Sequence, residues 1–525
     1  MPLPTSAGEV ARDTANIGPA IYEASIADLQ AAMTSGRLTA LALAEACLAR
    51  IEALDRSGPT LRAVLELNPE ALALARALDA ERAAGTTRGP LHGIPILLKD
   101  NLDTADRMAT TAGSRALVGS RPSQDATVVA RLRAAGALIL GKTNLSEWAN
   151  FRSMRSTSGW SARGGQTKNP YVLDRNPCGS SSGSAVAVAA SFCAAAIGTE
   201  TDGSIVCPSA LCGVVGLKPT VGLTSRAGVV PIAPSQDTVG PHARSVADAA
   251  TILGAIAGPD PRDPVTTAAA THAHADYCAF LDRDGLRGAR IGVLRDPGTV
   301  GYNQHADAVF AAALRAIAGL GAELVDPLQL AKSDGYLQGD EFTVLLYEFK
   351  QAIADYLATR VVHPDHPDVA IPRSLDELIA FNEAQRAVEL PYFGQEIFVL
   401  AAAKGGLDSE EYREALARSR DETRALVDAA MAEQRLDAIV ALTMQPAWVS
   451  DLLAGDRYGG GSSSFAARAG YPLVTVPAGM AFGLPVGISF MGGAYSEPTL
   501  IRLAYAFEQG TLARRPPGYL ASLAL

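Results

Sequence analysis

Two hydrophobic periods alternate along this chain, one helical and one too short for a helix. Near the N-terminus, Ser25 to Ser35 and Thr39 to Leu54 predict two helices, the second with Leu41, Ala44, Leu48 and Ile51 on one face. These two open a helical layer over about residues 20–85, outside a core that spans about 90–260. Ile94 to Leu98 then reads as a strand ending at Lys99. Asp125 to Ala135 reads as a helix feeding a strand over Ala137 to Leu140, followed by Gly141-Lys-Thr-Asn144. From Ser184 to Ile197, length and alanine content predict one buried helix, with Gly198 placed to end it. Val214 to Leu217 reads as a strand, and Ser245 to Ala257 as a helix opened by a Ser245/Asp248 variant of the capping box.

Further strands are expected over Ala289 to Leu294, Glu323 to Val325 and Asp437 to Leu442, with helices over Glu341 to Thr359 and Glu410 to Glu433. The tail returns to strand character over Pro472 to Pro477 and Leu484 to Met491, and is expected to rejoin the first sheet. Such alternation is the α/β pattern, a central mixed sheet surrounded by helices. Pro259-Asp-Pro-Arg-Asp-Pro264 is read as an internal loop, which leaves residues 1–525 as one domain. Gly459-Gly-Gly-Ser-Ser-Ser464 is expected to form a loop near a pocket mouth.

Composition narrows the class. The 525 residues are 48% hydrophobic and 19% charged, the balance of a globular chain that buries a large core. A net charge of -10 with no basic run argues against a nucleic-acid surface. The longest weakly polar run, Ala185 to Gly198, is shorter than the roughly 20 residues a membrane span needs, so no membrane partner is expected. The first thirty residues lack a basic start followed by an apolar stretch, which predicts a cytoplasmic protein, or a periplasmic one if a leader has been removed; a monomer is expected. Six cysteines lack metal-site spacing, and Cys207 and Cys212 read as buried thiols before a local disulfide. His363 and His366 lie in a proline-broken stretch and read as a solvated turn, so neither metal nor cofactor is expected.

The chemistry concentrates between Pro177 and Pro219. Two loops there carry serine and glycine, Cys178-Gly-Ser-Ser-Ser-Gly-Ser184 and Thr199-Glu-Thr-Asp-Gly-Ser204. As a phosphate cradle the first loop lacks the Gly-Lys-Ser/Thr ending of a P-loop. As a nucleophile elbow, Gly179-Ser-Ser-Ser-Gly183 lacks a preceding strand, because Asn169 to Pro177 contains two prolines. A third reading joins both loops into one site. Of seven histidines, His92 and His242 lie nearest in sequence, and neither falls into a Ser-His-Asp pattern. Lys99 is the alternative base, since burial lowers an amine from about 10.4 toward neutrality. A glycine turn over Thr201-Asp-Gly203 then aims backbone N–H groups at a developing oxyanion beside Ser204.

These residues resemble the amidase signature family of hydrolases, which use a Ser-cisSer-Lys triad. The resemblance rests on Gly93-Ile-Pro-Ile-Leu-Leu-Lys-Asp-Asn101, Gly141-Lys-Thr-Asn-Leu-Ser-Glu-Trp-Ala149, residues 177–222 with Gly213-Val-Val-Gly-Leu-Lys-Pro219, and Asp237-Thr-Val-Gly-Pro241. Ser180 precedes Ser204 by twenty-four residues, the spacing of the family's bridging serine and nucleophile. The resemblance implies the amidase signature fold, with Ser204 as nucleophile, Ser180 as the bridging serine beside a cis peptide bond, and Lys99 as base. It also implies an oxyanion hole from Thr201, Asp202, Gly203 and Ser204, with Ser181 in support. Cys178, Ser182 and Asp202 stand where the family usually has glycine. In this the chain resembles the subgroup of bacterial peptide amidases, as it does in Ser158-Gly-Trp-Ser161, Gly165-Gln-Thr167 and Leu345-Leu-Tyr-Glu-Phe-Lys350.

That subgroup removes the C-terminal amide of peptides, so the expected reaction turns a small-molecule or peptide carboxamide into acid and ammonia. The alternatives are an enzyme for aryl, fatty or carbamate substrates, or an amidotransferase subunit. Trp160 and Tyr347 are expected in the pocket wall, and Lys142 in a structural contact. The place of Asp202, in the oxyanion hole or on the leaving-group side, is left open by the sequence.

Overall fold

Apolar runs buried on both faces make the centre of the molecule. The computed structural model describes residues 21–296, 298–330, 339–363 and 369–523. The strands of its main sheet are β1 (Val64–Leu67), β2 (Pro95–Lys99), β3 (Leu138–Thr143), β4 (Ala195–Glu200), β5 (Val215–Lys218), β6 (Thr238–Ala243), β7 (Arg290–Leu294), β8 (Glu323–Leu328), β9 (Ala438–Leu442), β10 (Leu473–Ala481) and β11 (Leu484–Met491). They form one eleven-stranded mixed sheet in the order β1-β3-β2-β4-β6-β5-β10-β11-β9-β7-β8, surrounded by helices. The tail does rejoin the first sheet, with β10 antiparallel to β5.

The outer N-terminal helices are α1 (Ile26–Thr34) and α2 (Ala40–Ile51). Ser25 and Asp28 close a full capping box at the start of α1. Ser245 caps the helix Val246–Ile256, but Asp248 does not reach back to it. Its carboxylate accepts instead from the Ile26 N–H at 2.8 Å, tying that helix to α1. The stretch expected as one helix over Glu410 to Glu433 is two, Glu410–Leu416 and Glu422–Gln434, joined by a wider turn over Ala417–Asp421. Cys207 and Cys212 are buried free thiols. His366 lies outside the described residues.

The alanine-rich run departs from its expected form. Helix α3 covers only Ser182–Ala189, Ser191 turns the chain with a φ of +58°, and Ala195 begins strand β4. Helix propensity is a local preference, whereas β4 hydrogen-bonds on both edges, parallel to β2 and antiparallel to β6. Gly198 therefore sits inside a strand and does not end a helix. A Cβ there would meet His242 Nε2 at 2.4 Å and Ser181 Oγ at 2.7 Å. Gly198→Ala should cost about 1–3 kcal/mol through this overpacking, a loss that urea unfolding monitored by circular dichroism would measure.

Candidate active site

Strands β2 and β4 run parallel, with Leu98 opposite Ile197, so their carboxyl ends bring Lys99 beside Thr199. This is the edge where parallel sheets usually hold ligands. Lys99 is fully buried, and its Nζ donates to Ser180 Oγ at 2.8 Å, to Thr199 Oγ1 at 2.8 Å and to the Thr199 carbonyl at 3.3 Å. Asn101 Nδ2 also donates to Thr199 Oγ1, at 2.9 Å. Burial pushes the Lys99 amine down to about 7, against the opposing pull of Asp237 and Glu200. An amine in that range takes up a proton at neutral pH with little driving force either way, which suits a base.

The first serine loop needs its glycine. A Cβ on Gly179 would lie 2.1 Å from Ser146 Oγ, and the peptide between Gly179 and Ser180 is cis. Cys178 stands at a φ of +62°, and its carbonyl accepts from Ser182 Oγ at 2.6 Å, which closes the turn into α3. Ser181 joins the two loops. Its hydroxyl donates to the Thr199 carbonyl at 3.1 Å, and its backbone N–H donates to the Ser204 carbonyl at 3.2 Å.

The second loop leaves β4 and enters helix α4 (Val206–Leu211). The Glu200 carboxylate accepts from the N–H groups of Ile205 and Val206 at 2.6 and 3.0 Å, pinning the start of that helix just after Ser204. Thr201 Oγ1 donates to Asp237 Oδ1 at 2.5 Å. Burial pushes the Asp237 carboxyl up to about 6, against the hydrogen bonds it accepts from Thr201 and Ile232. Gly203 has a φ of +77°, and a Cβ there would meet Cys207 Sγ at 2.7 Å.

Ser204 opens onto a cavity of about 350 Å³ whose wall includes Cys178, Gly179, Thr201, Asp202, Leu345 and Trp448. A second cavity of about 360 Å³ lies against Asp237 and is lined by Arg226, Asp263 and Tyr356. Neither Ser180 nor Ser204 faces it. Among the described residues no group of three or more His, Cys, Asp or Glu is arranged to hold a metal ion.

The sequence-based expectations divide at this cavity. Lys99, Ser180, Ser181 and Ser204 come together, with Thr201, Asp202 and Gly203 in the adjoining turn. Lys142 donates to the Leu102 carbonyl at 2.6 Å and Thr110 Oγ1 at 2.9 Å, a structural contact. Trp160 and Tyr347 do not line the cavity. Trp160 packs edge-on against Phe393, with ring centroids 5.0 Å apart, and Tyr347 points to Glu411 and Tyr412. Leu345 lines the cavity, and a residue two positions further along a helix points about 200° away, which turns Tyr347 from it. Trp448 lines it too.

Gly459 to Ser464 does reach the cavity, but its last two serines start helix α6 (Ser463–Ala469, where α5 is Asp340–Ala358). Asp202 accepts from both of them, Ser463 Oγ at 2.5 Å and Ser464 Oγ at 2.6 Å. His242 bonds Ser209 Oγ at 2.8 Å, and burial together with Lys99 pushes it down to about 3, leaving it neutral. His92 bonds the Leu78 carbonyl. Sequence reasoning missed Thr199, Glu200 and Asp237 as partners. Asp237 was visible only as part of Asp237-Thr-Val-Gly-Pro241, a motif without an assigned role.

A chain with this sheet and this buried lysine–serine site belongs to the amidase family, whose sequence profile matches residues 42–501. It is an amide-hydrolysing enzyme. It is similar to the native peptide amidase of Stenotrophomonas maltophilia, with a TM-score of 0.89 and 54% identity over 95% of this chain and 99% of that one. A probable amidase of Arabidopsis thaliana is 44% identical, covering 95% of this chain and 92% of the relative. A glutamyl-tRNA(Gln) amidotransferase subunit of Chloroflexus aurantiacus is 36% identical, covering 94% of this chain and 97% of the relative.

Lys99 links the site to stability. Unfolded, this lysine titrates near 10.4; folded, burial brings it to about 7, so between those values the unfolded state holds the extra proton. Stability from this group therefore rises with pH from about 7 to about 10. Lys99→Met removes that dependence. The difference in melting temperature between Lys99→Met and the unaltered protein should shift in favour of the unaltered protein from pH 7 to pH 10, as read by calorimetry at both values.

Proposed function

We propose that this amidase removes the C-terminal carboxamide of peptides by a Ser-cisSer-Lys acyl-enzyme mechanism. The observation that carries the reading is the 2.8 Å contact between Lys99 and Ser180, made by a lysine that burial holds near neutrality. Ser204 Oγ attacks the amide carbon and passes its proton through Ser180 Oγ to the neutral Lys99 amine. The backbone N–H groups of the 201–204 turn take the charge on the carbonyl oxygen. The C–N bond breaks as the proton returns through Ser180 to the leaving nitrogen, and ammonia departs. Water then repeats the relay on the Ser204 ester, giving the acid and restoring the enzyme.

The substrate class is supported by the similarity to the Stenotrophomonas peptide amidase and by the resemblance to that subgroup at Cys178, Ser182 and Asp202. One sheet that draws strands from residue 64 to residue 491 supports reading the chain as a single catalytic domain. The similarity to an amidotransferase subunit supports a second reading, in which ammonia passes to a partner chain.

A hydrolysis panel separates these. The chain alone should release ammonia from a dipeptide amide and leave its internal-bond analogue, a fatty amide and a carbamate untouched; release only in the presence of partner chains favours the second reading. Ser204→Ala should lower kcat by about a thousandfold or more, and retained activity would rule out the assigned nucleophile. Lys99→Ala should remove the rise in kcat/KM that the unaltered enzyme shows through about pH 7, and an unchanged profile would rule out the base.

A further inference from the structure

Asp202 has a carboxyl neighbour that the mechanism does not use. Glu341, in the first turn of α5, lies beside Asp202, and both are partly buried. Gln236 Nε2 donates to Glu341 Oε1 at 2.8 Å and to the Thr201 carbonyl at 3.3 Å. From the other side Ser463 and Ser464, at the start of α6, donate to the two Asp202 oxygens. The 201–204 turn is thus gripped at Thr201 and Asp202 by side chains from two helices and from the stretch before β6.

We propose that Glu341 is a positioning residue: its carboxyl, bonded to Asp202 and to Gln236, clamps the 201–204 turn so that its N–H groups stay aimed at the oxyanion. This inference rests on the hydrolase reading of Ser204. It gives Asp202, where the wider family usually has glycine, a place in holding the loop. Helix α5 thereby becomes part of the site, although Glu341 touches no reacting atom.

The clamp predicts pH dependence. Burial and then Asp202 hold the Glu341 carboxyl above its usual range, with Arg468 and the Gln236 hydrogen bond opposing. Tyr458 lines the same cavity as Asp202, and Asp340, next to Glu341 in sequence, is paired with Arg418 at 2.9 Å. Glu348, one face along α5, is occupied by the Ser235 N–H and Tyr412 Oη. Loss of the Glu341 proton sets two carboxylates side by side, and their repulsion opens the grip. Activity should therefore rise as Lys99 becomes neutral and fall again at alkaline pH as Glu341 ionises.

Glu341→Gln keeps the shape and both hydrogen bonds, with its amide N–H donating to Asp202 and its carbonyl accepting from Gln236, and cannot ionise. It should retain kcat at pH 7 to within about threefold and lose the alkaline decline. Glu341→Ala should lower kcat about tenfold while KM moves less than about threefold. The proposal is overturned by an alkaline decline that persists unchanged in Glu341→Gln, by its absence from the unaltered enzyme, or by full kcat in a folded Glu341→Ala. If Glu341→Ala does not fold, the Glu341→Gln profile decides. Labelling of Ser204 by a fluorophosphonate, followed against pH in the same variants, gives a second readout. Labelling without release of ammonia from any carboxamide would count against the hydrolase reading, and the labelling profile would still decide the role of Glu341.

Discussion

A lysine side chain held out of water is the constraint on which this site depends. Ammonium groups resist burial, and Lys99 is buried with no carboxylate in direct contact among the described residues. The protein meets the cost by letting the amine lie near neutrality, with three oxygen partners to fix its direction. Asp237 and Glu200 stand near enough to raise it and far enough not to hold it charged. A closer carboxylate would make Lys99 an ordinary ion pair; a more distant one would leave the amine neutral and a weaker proton acceptor.

Much of the surrounding structure follows from that requirement. Strands β2 and β4 must be parallel neighbours for Lys99 to meet Thr199, and the first serine loop must fold back over both. Ser181 then ties the first loop to both ends of the second, so the proposed relay serine is placed by its neighbour as much as by its own hydrogen bond. Glycines stand where backbone approaches a side chain too closely for any Cβ, at Gly179 against Ser146 and at Gly198 against His242. Glu200 and Asp237 serve double duty: each holds the second loop by hydrogen bonds and also acts on Lys99 through its charge.

The same frame accounts for relatives that differ in what they act on. Chains named as amidases and as amidotransferase subunits share identity with this one along most of its length. What distinguishes a substrate is the cavity wall, and here the wall comes from segments far apart in sequence, Leu345 on α5, Trp448 after β9, and the two serines that open α6. Those segments also surround Asp202. Loop chemistry and pocket shape are therefore linked through one residue.

The sequence by itself determined the class of fold and singled out the lysine and serines that the fold brings together. Strand periodicity located β2, β3, β5, β7, β9 and the β10–β11 return, because each run is apolar enough to be buried whatever its neighbours are. The lysine and the serines were legible because their chemistry requires particular residue types at a particular spacing. Local propensity failed where tertiary pairing overrode it, at the alanine run that became α3 and β4. Side-chain direction was equally out of reach: Tyr347 and Leu345 are two residues apart on one helix, and only the packing of α5 decides which faces the cavity. The partners of Asp202 lie 139 and more than 260 residues away along the chain, at Glu341, Ser463 and Ser464, so no local pattern could reveal them. Spacing reports what the chemistry needs from one stretch of chain; contact between distant stretches is set by the packing of the whole.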